Sequence, residues 1–300
     1  MTDEMSLTEF YERFPGEDTC WTYLRQQRWG EDAFQCPACG EDEHWGLIET
    51  RKLFECYACG KQTSITAGTV LEDTKLDLHT WFLAAFLVLS HKKGLSTLEL
   101  ARKIDVSEKT GWFVHHTLTT VIGQAQAEEL FGTVEVDEAS VGGTGPPGGG
   151  NPPNQEQVLG QVECREDRLG RVRLRVIDGR DRATIHGEIE QGIEPESTVR
   201  TDRFRSYLKL EDHEHDRAPK DLPNGSERYI PRIHVVFGNV QNQLRGTHSG
   251  CSGEKLQAYL DVFAYRFNHR DDLQAGFEQA LRSLVSAKPV RWEGLVGGVN

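Results

Sequence analysis

Apolar positions along the chain recur with two distinct periods. From Phe10 to Trp29 the residues Phe10, Tyr11, Phe14, Cys20, Trp21, Tyr23, Leu24 and Trp29 return at helical intervals, which predicts short amphipathic helices packing onto the segment after them. Trp81, Phe82, Ala85, Phe86 and Leu89 mark an apolar helix over 78–90. Ser96 and Glu99 form a capping-box pair for a further helix, and Ser107 is placed to cap one beginning at Glu108. Only Asp105 and Val106 separate Ile104 from that cap, so the pair reads as helix-turn-helix, with a plain helical bundle as the alternative.

Past residue 130 the period shortens to two. Val134 and Val136 alternate with Thr133, Glu135 and Asp137, a strand that puts Asp137 on the side opposite the valines, delivers Asp137 and Glu138 to its end and then breaks on Gly142 and Gly143. Runs at 158–164 and 172–177, with a turn over 167–170, predict a hairpin; 183–191 reads as a helix. Ser197 to Asp202 is a second short strand ending in aspartate, followed by a helical 203–210, and 253–268 is amphipathic through Leu256, Tyr259, Leu260, Phe263 and Phe267. Strand, hairpin, helix, strand, helix in that order give an α/β domain with a mixed sheet. The Gly- and Pro-rich stretch 142–154 reads as a flexible insertion.

Composition narrows the class. Of 300 residues 37% are hydrophobic and 27% charged, and no apolar run approaches the ~20 residues that span a bilayer, so the expectation is a cytoplasmic globular protein with no membrane partner. A net charge of -13 argues against simple non-specific attraction to nucleic acid and leaves room for local basic surfaces. Only 11 of the 34 basic residues are lysine, a balance that suits a salty cytoplasm.

Seven cysteines, four of them in two close pairs, fit a metal site better than a disulfide framework. Cys36-Pro-Ala-Cys39-Gly40 and Cys56-Tyr-Ala-Cys59-Gly60, sixteen residues apart, match a zinc ribbon in which four thiolates close the shell, so the Zn²⁺ is structural and His44 a loop residue. Asp137 and Asp202, each at a strand end, are the candidate catalytic pair. Adjacent strand-end carboxylates suit two divalent cations that activate an attacking oxygen and stabilise a leaving one, whereas an isolated Asp137-Glu138 reads equally as a solvated acidic pair. Lys92, Lys93, Lys109 and Thr110 lie where a helix-turn-helix contacts DNA, with Trp112, His115 and His116 further along the same helix. Arg266 and Arg270 are either phosphate contacts or solvated helix-end arginines.

These pieces, in order, resemble the ISXO-like family of insertion-sequence transposases. The resemblance runs over about residues 7–272 and is carried by Cys-Pro-Ala-Cys-Gly and Cys-Tyr-Ala-Cys-Gly, Gln-Thr-Ser-Ile-Thr-Ala-Gly-Thr at 62–69 and Thr-Lys-Leu-Asp-Leu-His-Thr-Trp-Phe at 74–82. It continues through Val-Asp-Glu-Ala-Ser-Val-Gly-Gly at 136–143, Ser-Thr-Val-Arg-Thr-Asp at 197–202, Leu-Arg-Gly-Thr-His at 244–248 and Tyr-Leu-Asp-Val-Phe-Ala-Tyr-Arg-Phe-Asn at 259–268. It implies a zinc ribbon over 1–70, a helix-turn-helix region over 71–130, an RNase H-like DDE-type domain over 131–285 and a tail over 286–300. It further implies double-stranded DNA as partner, both element ends and target, a homo-oligomer on that DNA, and cleavage and joining with Mg²⁺ or Mn²⁺ at Asp137 and Asp202. Where the family often has glutamate, twelve residues before Gly246, this chain has His234; Asn239 is the second candidate, as an amide oxygen at the start of the same helix. The alternative is a catalytically decayed transposase that acts as a zinc-ribbon DNA-binding protein.

Overall fold

The computed structural model describes residues 5–30, 33–125, 129–143, 155–166, 168–220, 229–247 and 253–290. Residues 144–154 of the expected insertion, His248, Cys251 and the last ten residues of the tail lie outside the described residues. The chain divides into two compact units, one of 1–91, 97–125 and 271–300, the other of 92–96 and 126–270.

The first unit opens with α1 (Leu7–Arg13), whose Ser6 and Glu9 complete a reciprocal capping box, and α2 (Glu17–Trp29). Next is a three-stranded antiparallel sheet, β1 (Trp45–Ile48), β2 (Leu53–Cys56) and β3 (Gln62–Ser64). Then come α3 (Leu78–Ser90), α4 (Thr97–Lys103) and α5 (Glu108–Gln124). Ser107 caps α5 by accepting the Thr110 N–H at 3.2 Å, as the sequence predicts. Asp105 turns the chain at φ 54°, and the Val106 N–H closes back on the Ala101 carbonyl at 3.0 Å. Gly111 inside α5 lowers helix propensity, and the packing supplies the reason for it: a Cβ there would lie 2.4 Å from the Cβ of Ala101 on α4.

The sequence reading keeps 131–285 together, but the helix Leu273–Ser286 packs with α2, α3 and α5 in the first unit. Its Phe277 meets Phe10, Phe14 and Phe86 edge-on, so this aromatic core draws on both ends of the sequence.

The second unit is built on a five-stranded mixed sheet of β4 (Thr133–Gly142), β5 (Gln155–Arg165), β6 (Arg168–Ile177), β7 (Thr198–Thr201) and β8 (Glu214–Arg217). The order is β6-β5-β4-β7-β8, with β4 to β6 antiparallel and β4, β7 and β8 parallel. One face is covered by α6 (Arg182–Gly192), whose Ile185 and Ile189 pack with Val134, Val136, Leu159 and Tyr207. The other carries α7 (Pro231–Thr247) and α8 (Gly253–Asn268), which bury Val141, Val158, Val162, Val172 and Leu174 beneath Ile233, Val236, Phe237, Leu256 and Leu260.

Three expectations change. β4 does not end at Asp137 but runs on to Gly142 against β5; what ends there is its parallel ladder with β7, whose last pair is Val136 and Thr201. The helix expected over 203–210 shrinks to a single 3₁₀ turn, Arg205–Tyr207, because the Asp202 carboxylate takes the Phe204 N–H at 2.7 Å in an Asx turn and Lys209 sits at φ 65°. Helix α7 begins at Pro231, a residue suited to the first helical position, so Asn239 lies in mid-helix and His234 in the first turn.

Candidate active site

The four cysteines converge. One sulfur from each of Cys36, Cys39, Cys56 and Cys59 lies within 4.8 Å of the others, with Cys36 to Cys59 at 3.7 Å and Cys39 to Cys56 at 3.6 Å. The two knuckles repeat one backbone design: the Gly40 N–H bonds the Cys36 carbonyl at 2.9 Å and the Gly60 N–H that of Cys56 at 2.8 Å, and the glycines stand at φ 79° and 71°. Only glycine adopts that conformation without strain, which is why each pair is followed by one. Four thiols at this spacing leave no open position, the donor set of a structural zinc. His44 bonds Glu41 at 3.2 Å and is exposed, apart from the shell. Behind the thiols Trp21, Trp29, Trp45, Phe34 and Phe54 form an aromatic layer.

The carboxylates lie in the second unit. Because Val136 pairs with Thr201 in the parallel ladder, the next residue on each strand is an aspartate, Asp137 and Asp202, so the register carries both to one end of the ladder. Asp137 is largely buried, and burial, together with the charges of Glu138 and Asp202, pushes its carboxyl up to about 7. Opposite it, Nε2 of His234 in the first turn of α7 approaches the Asp137 Oδ2 at 3.7 Å. That nitrogen is shielded from solvent and makes no hydrogen bond among the described residues.

The neighbours of Asp137 on β4 do other work. Glu138 projects to the α6 face, where its 2% exposed carboxylate is held by Arg180 and by the Tyr207 hydroxyl; it is structural. Glu135, on the same face as Asp137, is completely buried, and its Oε2 accepts the N–H groups of Arg232 at 2.7 Å and Ile233 at 3.1 Å. Sequence reasoning missed it, since a polar residue alternating with valines reads as solvent-facing; the one signal was a carboxylate in a strand later covered on both faces. Gly160, the β5 partner of Asp137, leaves room for α7: a Cβ there would lie 2.6 Å from Ile233 Cδ1 and 2.7 Å from Phe237 Cζ.

Other candidates disperse. Asn239 is exposed and lies five residues from His234, about 140° round the helix. Arg270 donates to the carbonyls of Leu169, Gly170 and Phe267, and Arg266 is largely buried, which lowers its pKa to about 10; neither is a solvated helix-end arginine. Lys92, Lys93 and Lys109 are exposed, Thr110 bonds the Ser107 hydroxyl at 2.8 Å, and His115 and His116 are buried and cannot enter a groove.

Oxygen donors from Asp137 and Asp202 with a nitrogen donor from His234 suit a divalent cation, whose charge would relieve the carboxylate crowding felt by Asp137. Among the described residues only the cysteines draw together as a group within 4.8 Å; Asp137, Asp202 and His234 do not form such a closed shell.

Among known proteins, the chain matches an ISXO2-like transposase domain over residues 129–268 and a transposase zinc-ribbon domain over residues 15–62. It is 25% identical over 297 residues to an uncharacterized protein in transposable element ISH50 of Halobacterium salinarum, an alignment covering 91% of this chain and 97% of that one.

Proposed function

Since the chain belongs to the ISXO-like family of insertion-sequence transposases, we propose that it cuts and joins DNA at element ends by metal-dependent phosphoryl transfer, with Asp137, Asp202 and His234 as the reacting site. The observation that carries this is the β4–β7 register, which sets two aspartates side by side, with a histidine 3.7 Å from the first. A sheet with three antiparallel strands followed by two parallel ones also supports an RNase H-like reading.

Asp137, Asp202 and His234 would hold the divalent cations. Bound Mg²⁺ or Mn²⁺ would supply Lewis acidity to the scissile phosphate and to the attacking oxygen. In the first step a water oxygen bonds phosphorus as the P–O3′ bond breaks, freeing a 3′-hydroxyl. In the second that hydroxyl attacks a target phosphodiester and the target's own 3′-oxygen leaves. The rigid strands fix the aspartates, so little reorganisation accompanies either displacement.

On this reading DNA is held by the zinc ribbon and by α4 and α5 acting as a helix-turn-helix, with the exposed residues Lys92, Lys93 and Lys109 as candidate contacts. Against a net charge of -13, binding depends on a local basic face and falls with salt.

One observation favours a second reading, a decayed transposase that only binds DNA: the third donor is an imidazole. The experiment is strand cleavage and joining on labelled element-end DNA with Mg²⁺ or Mn²⁺, wild type against Asp137→Ala. Metal-dependent joining lost in the variant is the expected result; specific binding with no strand chemistry in the wild type selects the decayed reading.

A further inference from the structure

We propose that Glu135 is a positioning residue whose carboxylate, by capping α7, holds His234 against Asp137. This rests on the reading of Asp137 and His234 as the reacting site. The first N–H groups of a helix have no partner within it, and at α7 two of them, on Arg232 and Ile233, go to a side chain 97 and 98 residues earlier in sequence. The cap is charged, which complements the positive end of the helix dipole and shortens the bonds. Its second oxygen is 3.7 Å from Arg232 Nη1, and Arg232 Nη2 in turn donates to the carbonyls of Arg165 and Glu166, both at 3.2 Å.

The geometry comes from two periods. Glu135 and Asp137 are two residues apart on β4 and share a face. The residues they meet are consecutive on α7: Arg232 and Ile233 at Glu135, then His234 at Asp137. A turn of the helix about its axis, or a slide along the strand, therefore breaks the cap and the His234 approach together. Gly160 lets α7 sit close to the sheet but fixes no rotation; the directional bonds to Glu135 do.

The test uses the full, zinc-loaded chain with ¹⁵N-labelled histidine. The His234 ring nitrogen signals are compared with and without Asp137→Asn at one pH, in wild-type, Glu135→Gln and Val172→Ala backgrounds. Val172→Ala loosens the same core without touching the cap. Expected is a clear response to Asp137→Asn in the wild-type and Val172→Ala backgrounds, falling to less than about half in Glu135→Gln, as a loosened orientation requires. In the same variant strand cleavage at saturating DNA falls about tenfold, while affinity for DNA stays within about twofold. An unchanged ring response in Glu135→Gln, or none in the wild type, overturns the proposal whatever the cleavage rate. A wild type that cleaves no DNA overturns the transposase reading alone, and the ring signals still decide the cap.

Discussion

On the function proposed above, the thiol cluster and the Asp137 site gather donors for a metal by opposite means. All four thiols come from residues 36–59, two tight turns on one small sheet, and each turn carries the glycine that closes it. Asp137, Asp202 and His234 come from three elements spread over residues 137–234, and nothing local brings them together. A strand register carries the first two to one end of its ladder, and the third lies on a helix whose Arg232 and Ile233 N–H groups go to the buried Glu135. A closed, local shell suits a metal held for folding; in the long-range set the carboxyl of Asp137 is raised by burial and by the charges of Glu138 and Asp202.

The contrast can be broken at either end. Chelating the zinc removes stabilisation on the order of 10 kcal/mol from the ribbon, and the emission of Trp21, Trp29 and Trp45 shifts to the red; unchanged emission would mean that the aromatic layer stands without metal. Asp137→Asn lowers strand cleavage about a thousandfold but, without added Mg²⁺, melts no lower than the wild type, because a crowded, buried carboxylate has been neutralised. A large fall in melting temperature would count against that division of labour. Glu138→Gln sharpens it from the next residue: weakening the contacts with Arg180 and Tyr207 costs about 2 kcal/mol in chemical denaturation, while cleavage at permissive temperature is kept. Gly111→Ala drives a methyl into Ala101 and costs about 1–2 kcal/mol, against the small gain that helix propensity alone predicts. Asn239→Ala, exposed and turned away from His234, changes stability by less than about 0.5 kcal/mol and leaves cleavage intact.

How much the sequence reveals obeys the same division. The thiol site is legible in full, because ligands and turn glycines lie together. Helix α8 appears with its bounds unchanged, and Ser107 announces the start of α5 through a local cap. β8 escapes notice: Glu-His-Asp-Arg has no strand signature and becomes a strand only beside β7. The 3₁₀ turn after Asp202 escapes because its carboxylate captures a backbone N–H that a helix leaves free. Glu135 escapes because its partner is 97 residues away. Asp137 and Glu138 look alike in sequence, and only the pleat, which sends them to opposite faces, separates the proposed ligand from the residue held by Arg180 and Tyr207.

The helix Leu273–Ser286 belongs to the unit that also contains α1 and α2, with the whole second unit between them in sequence. This sets an order on synthesis. The mixed sheet, with α6, α7 and α8, has all its parts once Arg270 has left the ribosome, whereas the helical unit must wait with Phe10, Phe14 and Phe86 exposed until Phe277 arrives. The part of the chain made first is therefore the last to complete its core, and a truncation before residue 273 is expected to spare the sheet and strand the aromatic residues in water.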